Sequence, residues 1–232
     1  MKKLDIFISG ETVDLCIPTT EFAQNSNWYS WFNDSSITRY LEQGVFPNTV
    51  QEQEEFFASQ KGSRLLLIIS TKNQEYKGVV SLSFINFFKR SCDVAIVTDH
   101  HIESRLAPYA ALEAMALITT HAFEKMGIKR ISAGQHILLE SWQQRMELLG
   151  FKLEGIHEKK FIKGQEEAHS VSIACIYDDY YLLKTKREGS LWDSLEKMKN
   201  RIKNLPKQSF SKKMIIYFNS ERTSYYSDIY QL

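Results

Sequence analysis

The alternation of apolar and polar positions divides the chain into strand-like and helix-like segments. Short apolar or alternating runs bounded by turn residues indicate strands. These runs lie at 13–17, 64–70, 76–84, 93–97, 128–133, 151–161, 169–176 and 214–218. Apolar residues at helical spacing predict helices from Thr19 or Thr20 through Trp31, and at 49–60, 110–126, 140–149 and 190–204. The order of these elements predicts a mixed α/β (α+β) sheet with helices on both faces.

A change in composition after about Lys184 divides the chain. The length of 232 residues suits one large domain or a domain with an appendage. From 184 to 213 there are ten Lys or Arg and three acidic residues. Ser190 and Asp193 predict a capping box that opens an amphipathic helix. Its apolar stripe is Leu191, Leu195, Met198 and Ile202. We therefore predict a domain at 1–186 and a C-terminal extension, helix and short strand, at 187–232.

The charge balance limits the classes of partner. The chain has 29 Lys or Arg and 28 Asp or Glu, so the molecule as a whole does not have the charge of a nucleic-acid-binding protein. We expect the basic face of the extension to lie in solvent and expect no nucleic-acid partner. No window approaches the roughly 20 apolar residues of a membrane span, and the N-terminus does not have the features of a signal peptide. The sequence therefore predicts a cytoplasmic protein with no membrane partner.

Cysteine and histidine spacing does not suggest a metal centre. Cys16, Cys92 and Cys175 lie far apart in apolar runs, without C-x-x-C spacing, and are expected to be buried reduced thiols. No histidine pair has metal-ligand spacing. We predict no metal.

The segment 91–111 predicts a strand, a turn and then a long helix. The strand at 93–97 ends beside the start of that helix, whose first N–H groups have no intrahelical partner. Such a helix start commonly holds a phosphate-bearing cofactor. The sequence therefore predicts a cofactor site here.

Three segments in order resemble the GNAT superfamily of acyl-CoA-dependent N-acyltransferases, in the branch similar to ribosomal-protein N-terminal acetyltransferases. They are WYSWFND at 28–34, RLAPYAALEAM at 105–115 with HAFEKMGIKRI at 121–131, and MELLGFKLEG at 146–155. The resemblance covers roughly residues 8–183. It implies a GNAT-like fold with a mixed, mostly antiparallel central sheet, and acetyl-CoA as co-substrate.

The same resemblance implies how coenzyme A binds. The thioester is expected against the backbone of Ile96 and Val97, and the pyrophosphate against the turn and helix start that follow. The residues expected around the pyrophosphate are Arg105, Ala107, Pro108, Tyr109, Ala110 and Ala111. The chain departs from the family pattern, because Leu106, Pro108 and Ala110 stand where glycines are typical, and proline offers no N–H. Small residues still permit close approach, and Arg105 can compensate with charge.

Several residues compete for proton transfer. Asp93 matches an acidic position of the family and could act as general base, or could be a solvated strand-edge residue. His100 and His101 follow the strand, and neighbouring strand positions point to opposite sides, so at most one of them faces the site. Glu140 could act as base or favour its helix dipole. Met146 stands where the resembling family has a tyrosine that acts as general acid, and a methionine cannot donate a proton. The thiolate would then leave unassisted or be protonated by water or by Ser141.

The acceptor side is less defined. Trp31, Asn33 and Asp34 could line an acceptor groove, or could serve core packing and an Asx cap. His101 is a further acceptor-side candidate. We expect a primary amine, either of a nucleotide-linked amino sugar or of a protein N-terminus. The alternative is a non-catalytic module that binds coenzyme A, RNA or ribosomes.

We expect the extension helix to pack either on the catalytic domain or on a second subunit, as in a homodimer.

Overall fold

A computed structural model describes residues 2–60, 62–99 and 107–231. Within these ranges the chain forms one eight-stranded sheet. The strands are β1 (Ile6–Ser9), β2 (Val13–Cys16), β3 (Leu65–Thr71), β4 (Tyr76–Asn86), β5 (Ser91–Thr98), β6 (Arg130–His136), β7 (Lys152–Lys163) and β8 (Glu166–Ile176).

The sheet is mixed and mostly antiparallel. Its spatial order is β1-β2-β3-β4-β5-β6-β8-β7. Neighbours pair antiparallel except β5 and β6, which are parallel. A parallel pair needs a crossover connection, and a long helix supplies it here. The predicted fold class is confirmed.

Helices cover both faces of this sheet. In chain order they are α1 (Thr20–Asn25), α2 (Trp28–Trp31), α3 (Ser35–Thr38), α4 (Val50–Ser59), α5 (Ala107–Glu124), α6 (Glu140–Glu147), α7 (Tyr177–Lys186), α8 (Leu195–Lys203) and α9 (Phe210–Tyr230). The crossover helix is α5. Helix α4 begins at a complete capping box of Thr49 and Glu52, which satisfies two backbone N–H groups at its start.

Two apolar clusters hold the layers together. Neighbouring strand residues point to opposite faces, so Leu15 of β2 joins one cluster and Cys16 the other. The first cluster lies under α5, where Met115 is 1% exposed. The second lies under α1 and α2 and contains Phe22 and Trp28. All three cysteines are free and buried, as the sequence predicted.

The predicted single helix through Trp31 is wrong, because the chain turns at Ser26. The backbone of Ser26 is extended, with φ −99° and ψ 171°, and its N–H closes the end of α1 on the carbonyl of Phe22. Its hydroxyl then accepts a hydrogen bond from the N–H of Trp28 at 3.2 Å. A serine that bonds nearby backbone groups favours such a break over helix continuation.

The predicted capping box at Ser190 is also wrong. The Ser190 hydroxyl bonds the backbone of Trp192, and α8 begins only at Leu195, with Ser194 as its cap. The Asp193 carboxylate instead forms a bidentate pair with Arg201 at 2.6 and 2.5 Å.

The strand predicted at 214–218 lies inside α9. Ser209 caps this helix by accepting a hydrogen bond from the N–H of Lys212. A short apolar run cannot by itself distinguish a strand from a buried helix segment. The segment after 218, which has no clear period, continues the same helix to Tyr230.

The start of the extension joins the main core. Leu191, Trp192 and Met198 are buried and belong to the cluster under α5. They pack on the chain's own domain, one of the two arrangements expected for the extension.

Among the described helices, none has the length and apolar character needed to cross a membrane. The cytoplasmic location stays a prediction.

Candidate active site

The candidate site begins where β5 and β6 separate. The two strands pair only over Ser91–Asp93 and Arg130–Ser132. Beyond that point β5 continues to Thr98 along β4, and β6 continues to His136 along β8. The sheet therefore opens between β5 and β6.

A cavity of about 970 Å³ lies at this opening. Its walls come from the turn after β1, the loop around Tyr40, the ends of β3 to β5, the first turns of α5, helix α6 and the start of α8. The apolar part of the wall includes Ile37, Leu41, Ile69, Leu138, Leu139 and Trp142. A volume of this size accommodates a large cofactor.

Four of the predicted cofactor residues line the cavity. They are Ile96 and Val97 on β5 and Ala110 and Ala111 on α5. Pro108 falls in the first turn of α5, where its missing N–H costs no intrahelical bond. Tyr109 is half-buried, and the Lys199 ammonium of α8 lies 5.4 Å from its ring centre. Arg105 lies outside the described residues.

Asp93 stands at the base of the opening. It pairs in register with Ser83 of β4 and with Ser132 of β6, and its side chain is exposed. Partial desolvation raises the pKa of the Asp93 carboxyl, and the nearby Arg130 guanidinium offsets part of that rise. Asp93 does not belong to the cavity lining itself.

The two α6 candidates have different surroundings. Ser141 lines the cavity. The Glu140 carboxylate accepts a hydrogen bond from Ser209 at 3.1 Å and lies 3.5 Å from the Lys212 ammonium, so it contacts the start of α9. Met146 is 1% exposed within the main core.

The acceptor-side residues border a second cavity of about 490 Å³, which Trp31 and Asp34 line. This cavity shares Ile37, Lys77 and Asp99 with the first one, so the two are adjacent. Asp34 also caps α3.

Asn33 fixes the nearby loop instead of lining either cavity. Its side chain exchanges two hydrogen bonds with the backbone of Asn48, at 2.7 and 2.6 Å. His100 and His101 lie outside the described residues.

Sequence reasoning missed Arg145, which also lines the first cavity. Its Nε is buried and has no hydrogen-bond partner. The signal was present, because residues four apart on a helix share a face, and Arg145 follows Ser141 at that spacing.

Sequence reasoning also missed how the extension reaches the site. Glu113 of α5 is fully buried, and its carboxylate accepts hydrogen bonds from the N–H groups of Glu11 and Thr12 and from the Thr12 hydroxyl. The Glu11 carboxylate in turn accepts from Trp192 Nε1 at 2.8 Å and from the Leu195 N–H at 2.7 Å. Glu11, Thr12 and Leu195 all line the cavity, so the extension forms part of its wall.

A lysine fixes the opposite wall. The Lys163 ammonium at the end of β7 donates to the carbonyls of Thr38, Leu41 and Gln43 at 2.7, 3.2 and 2.8 Å. This ties the β7–β8 hairpin to the segment that carries Tyr40 and Leu41, both of which line the cavity.

The buried thiols do not supply a nucleophile. Burial raises the pKa of both Cys92 and Cys175 to about 12. A thiol with so high a pKa is not ionised at neutral pH, and the thiolate is the reactive form.

Of the comparisons with known proteins, the one with solved structures supports the fold. No protein-family model matches the chain, and no curated protein sequence matches it. Solved structures do match, among them a GCN5-related N-acetyltransferase from Brucella melitensis, at a TM-score of 0.65 and 18% identity over 84% of this chain and 88% of that one.

Two further matches have named substrates or ligands. One is spermidine N-acetyltransferase from Vibrio cholerae, solved with CoA and spermine (TM-score 0.64, 16% identity, 73% of this chain and 98% of that one). The other is RimL, a ribosomal L7/L12 α-N-protein acetyltransferase, solved with coenzyme A (TM-score 0.64, 15% identity, 75% and 99%). With a parallel β5–β6 pair that separates beside the crossover helix, the chain has the fold of the GNAT acetyltransferases.

Proposed function

We propose that this protein is an acetyl-CoA-dependent N-acetyltransferase whose acceptor is a primary amine. The observation that carries the proposal is the cavity at the point where β5 and β6 separate, bordered by the first turns of α5. The side chains of Ala110 and Ala111 at this border are small, so a ligand can approach the backbone of α5 closely. Four of the predicted cofactor residues, Ile96, Val97, Ala110 and Ala111, line the cavity there, which supports acetyl-CoA as the co-substrate.

The chain's own residues then have distinct roles. Ile96 and Val97 hold the thioester end through their backbone. The free N–H groups at the start of α5, with Arg105, hold the pyrophosphate. The thioester supplies an activated acetyl carbon, and Asp93 accepts the proton of the attacking amine, directly or through water. A carboxyl with a raised pKa is a stronger base than an ordinary one.

The acceptor enters through the second cavity in this proposal. Asp34 and Asp99 border it, and carboxylates favour an ammonium group. The two acceptor classes remain a nucleotide-linked amino sugar and a protein N-terminal amine. A structural neighbour crystallised with spermine adds polyamines to the compounds to be tested.

The decisive experiment measures binding and turnover together. Acetyl-CoA at one hundred times its dissociation constant should stabilise the protein by about 2.7 kcal/mol. An inorganic polyphosphate should not give this stabilisation at raised salt concentration, because salt weakens nonspecific electrostatic binding. Turnover is measured as free thiol released with a panel of amino sugars, N-terminal peptides and polyamines. Mass spectrometry then identifies an acceptor heavier by one acetyl group.

A matched pair of variants tests the location of the acetyl-CoA site. Ala110→Trp fills the cavity border and should abolish stabilisation by acetyl-CoA. Ala58→Trp makes the same change at an exposed position of α4 and should leave it intact. Equal stabilisation of both variants would contradict the proposed location. Binding without turnover on any amine would instead favour the non-catalytic module.

A further inference from the structure

Arg145 occupies a distinctive position on α6. The side chains of Ser141 and Arg145, one helical turn apart, both line the main cavity. The next residue, Met146, points into the core and is 1% exposed. The position that in the resembling family carries a proton-donating tyrosine is therefore withdrawn from the cavity, and its neighbour faces the cavity instead.

The Arg145 guanidinium has a buried Nε without a hydrogen bond. Among the described residues, no carboxylate lies within ion-pair distance of this guanidinium. Burying an arginine nitrogen in this way costs free energy unless a ligand satisfies it.

The other charged residues of the lining are already engaged. Lys72 pairs with Asp14 at 2.5 Å, and Lys77 pairs with Glu75 at 3.1 Å. The Glu11 carboxylate binds the extension, and Asp99 also has a partner. Of the cationic side chains in the described lining, which are Lys72, Lys77 and Arg145, Arg145 is therefore the one without an ion-pair partner.

We propose that Arg145 stabilises the thiolate of coenzyme A as it leaves, an inference that rests on the proposed function. The amine nitrogen forms a bond to the acetyl carbon, the carbon–sulfur bond breaks, and its electron pair moves to the sulfur. The amine proton goes to Asp93 or water. Arginine is not deprotonated in proteins, so Arg145 supplies charge and hydrogen bonds to the sulfur while solvent later returns a proton to the thiolate.

The test compares coenzyme A with desulfo-coenzyme A, which lacks the sulfur. The thiol pKa of bound coenzyme A is followed by the ultraviolet absorbance of the thiolate. In the wild-type protein it should lie about 1 to 3 below that of the free compound, the range for an opposite charge nearby. Arg145→Gln should abolish the difference, and Arg145→Lys should retain part of it. Lys213→Gln, which removes one charge from an exposed position of α9, should leave it unchanged.

The two ligands separate the alternatives. Above the thiol pKa, Arg145→Gln should weaken coenzyme A binding about tenfold or more and leave desulfo-coenzyme A binding unchanged, since one unit of pKa difference corresponds to tenfold. Equal weakening of both ligands would assign Arg145 to a phosphate and overturn the proposal. An unshifted thiol pKa in a wild-type protein that binds coenzyme A would also overturn it, while leaving the proposed function intact. Failure of the wild-type protein to bind either ligand would overturn both.

Discussion

At the scale of single residues, two charged groups lie near the opening in the sheet. One is a strand carboxylate of raised pKa, and the other is a cavity arginine that has no carboxylate partner among the described residues. Asp93 lies on β5 and Arg145 on α6, on either side of the opening in the sheet. Each is energetically unfavourable in the isolated protein, because one is partly desolvated and the other has a buried nitrogen without a partner. Residues held at such a cost are typical of functional sites.

For Asp93, we expect Asp93→Asn to lower turnover by about 10²- to 10⁴-fold, the contribution of a positioned general base, with little change in acetyl-CoA affinity. In the wild-type protein the rate should fall as pH drops through the raised pKa of Asp93, and the variant should lose this acidic limb. Steady-state kinetics over a pH series measure both effects.

The stability of the same variant provides a control for folding. Because the folded-state pKa is raised, the native protein holds this proton to a higher pH than the unfolded chain does. Ionisation therefore lowers stability as pH rises through that window, and Asp93→Asn should not lower the melting temperature at neutral pH. Asp5→Asn makes the same change at an exposed position and should leave kinetics unchanged. Wild-type rates in Asp93→Asn would leave His100, His101 or Glu140 as candidates for the base.

At the scale of elements, the carboxylates of Glu113 and Glu11 connect α5, the β1–β2 turn and the extension. Gly10 is part of this arrangement, since a Cβ there would collide with the Glu113 carboxylate and lie 2.8 Å from Leu117. The position of α8 at the cavity therefore depends on a turn more than 180 residues earlier in the chain.

We expect Glu11→Ala to destabilise the protein by about 1.5–3 kcal/mol, because a charged acceptor is lost and Trp192 Nε1 is left without its partner. Urea denaturation measures this loss. Acetyl-CoA affinity should fall as well, since Leu195 lines the cavity. Glu42→Ala, at an exposed position, is the control. A variant as stable as the control would mean that other contacts position the extension.

At the scale of the whole molecule, the extension divides into a part that completes the core and a part that lies mostly on the surface. Leu191, Trp192 and Met198 are buried in the main cluster. In α9 only Ser211 is buried, and Ile216, Tyr217 and Tyr225 are among its exposed residues.

Two truncations should therefore differ. Removal of 190–232 should destabilise the protein by several kcal/mol, because each large buried apolar side chain contributes about 1.5–3 kcal/mol. Removal of 214–232 should cost much less. Thermal denaturation and light scattering measure stability and mass. Two outcomes would favour an extension that packs on a second subunit. One is equal stability of the two truncated proteins, and the other is a change of oligomeric state in the protein that lacks only 214–232.

The sequence predicted the general fold and four residues of the cavity lining. The helical period at 110–126 and the apolar strands determine the order of elements. The resemblance indicated Ile96 and Val97 at the end of the strand and Ala110 and Ala111 at the start of the helix, and all four line the cavity. Long-range contacts were not readable in this way. The partners of Glu140 are Ser209 and Lys212, some seventy residues later, and the apolar run at 214–218 has the same pattern in a strand as in a helix. The boundary at residue 187 stays a prediction.

The separation of β5 and β6 also bears on how much the amino-acid sequence can vary among proteins with this fold. Over the described residues of both strands, pairing stops at Asp93, and the groups that then face the opening are main-chain amides and carbonyls. Every residue type except proline carries both, so the backbone recognition that we propose for coenzyme A would depend on the size of Ile96 and Val97 more than on their identity. A binding surface of this kind tolerates wide substitution around it, consistent with a shared fold at 15–18% identity.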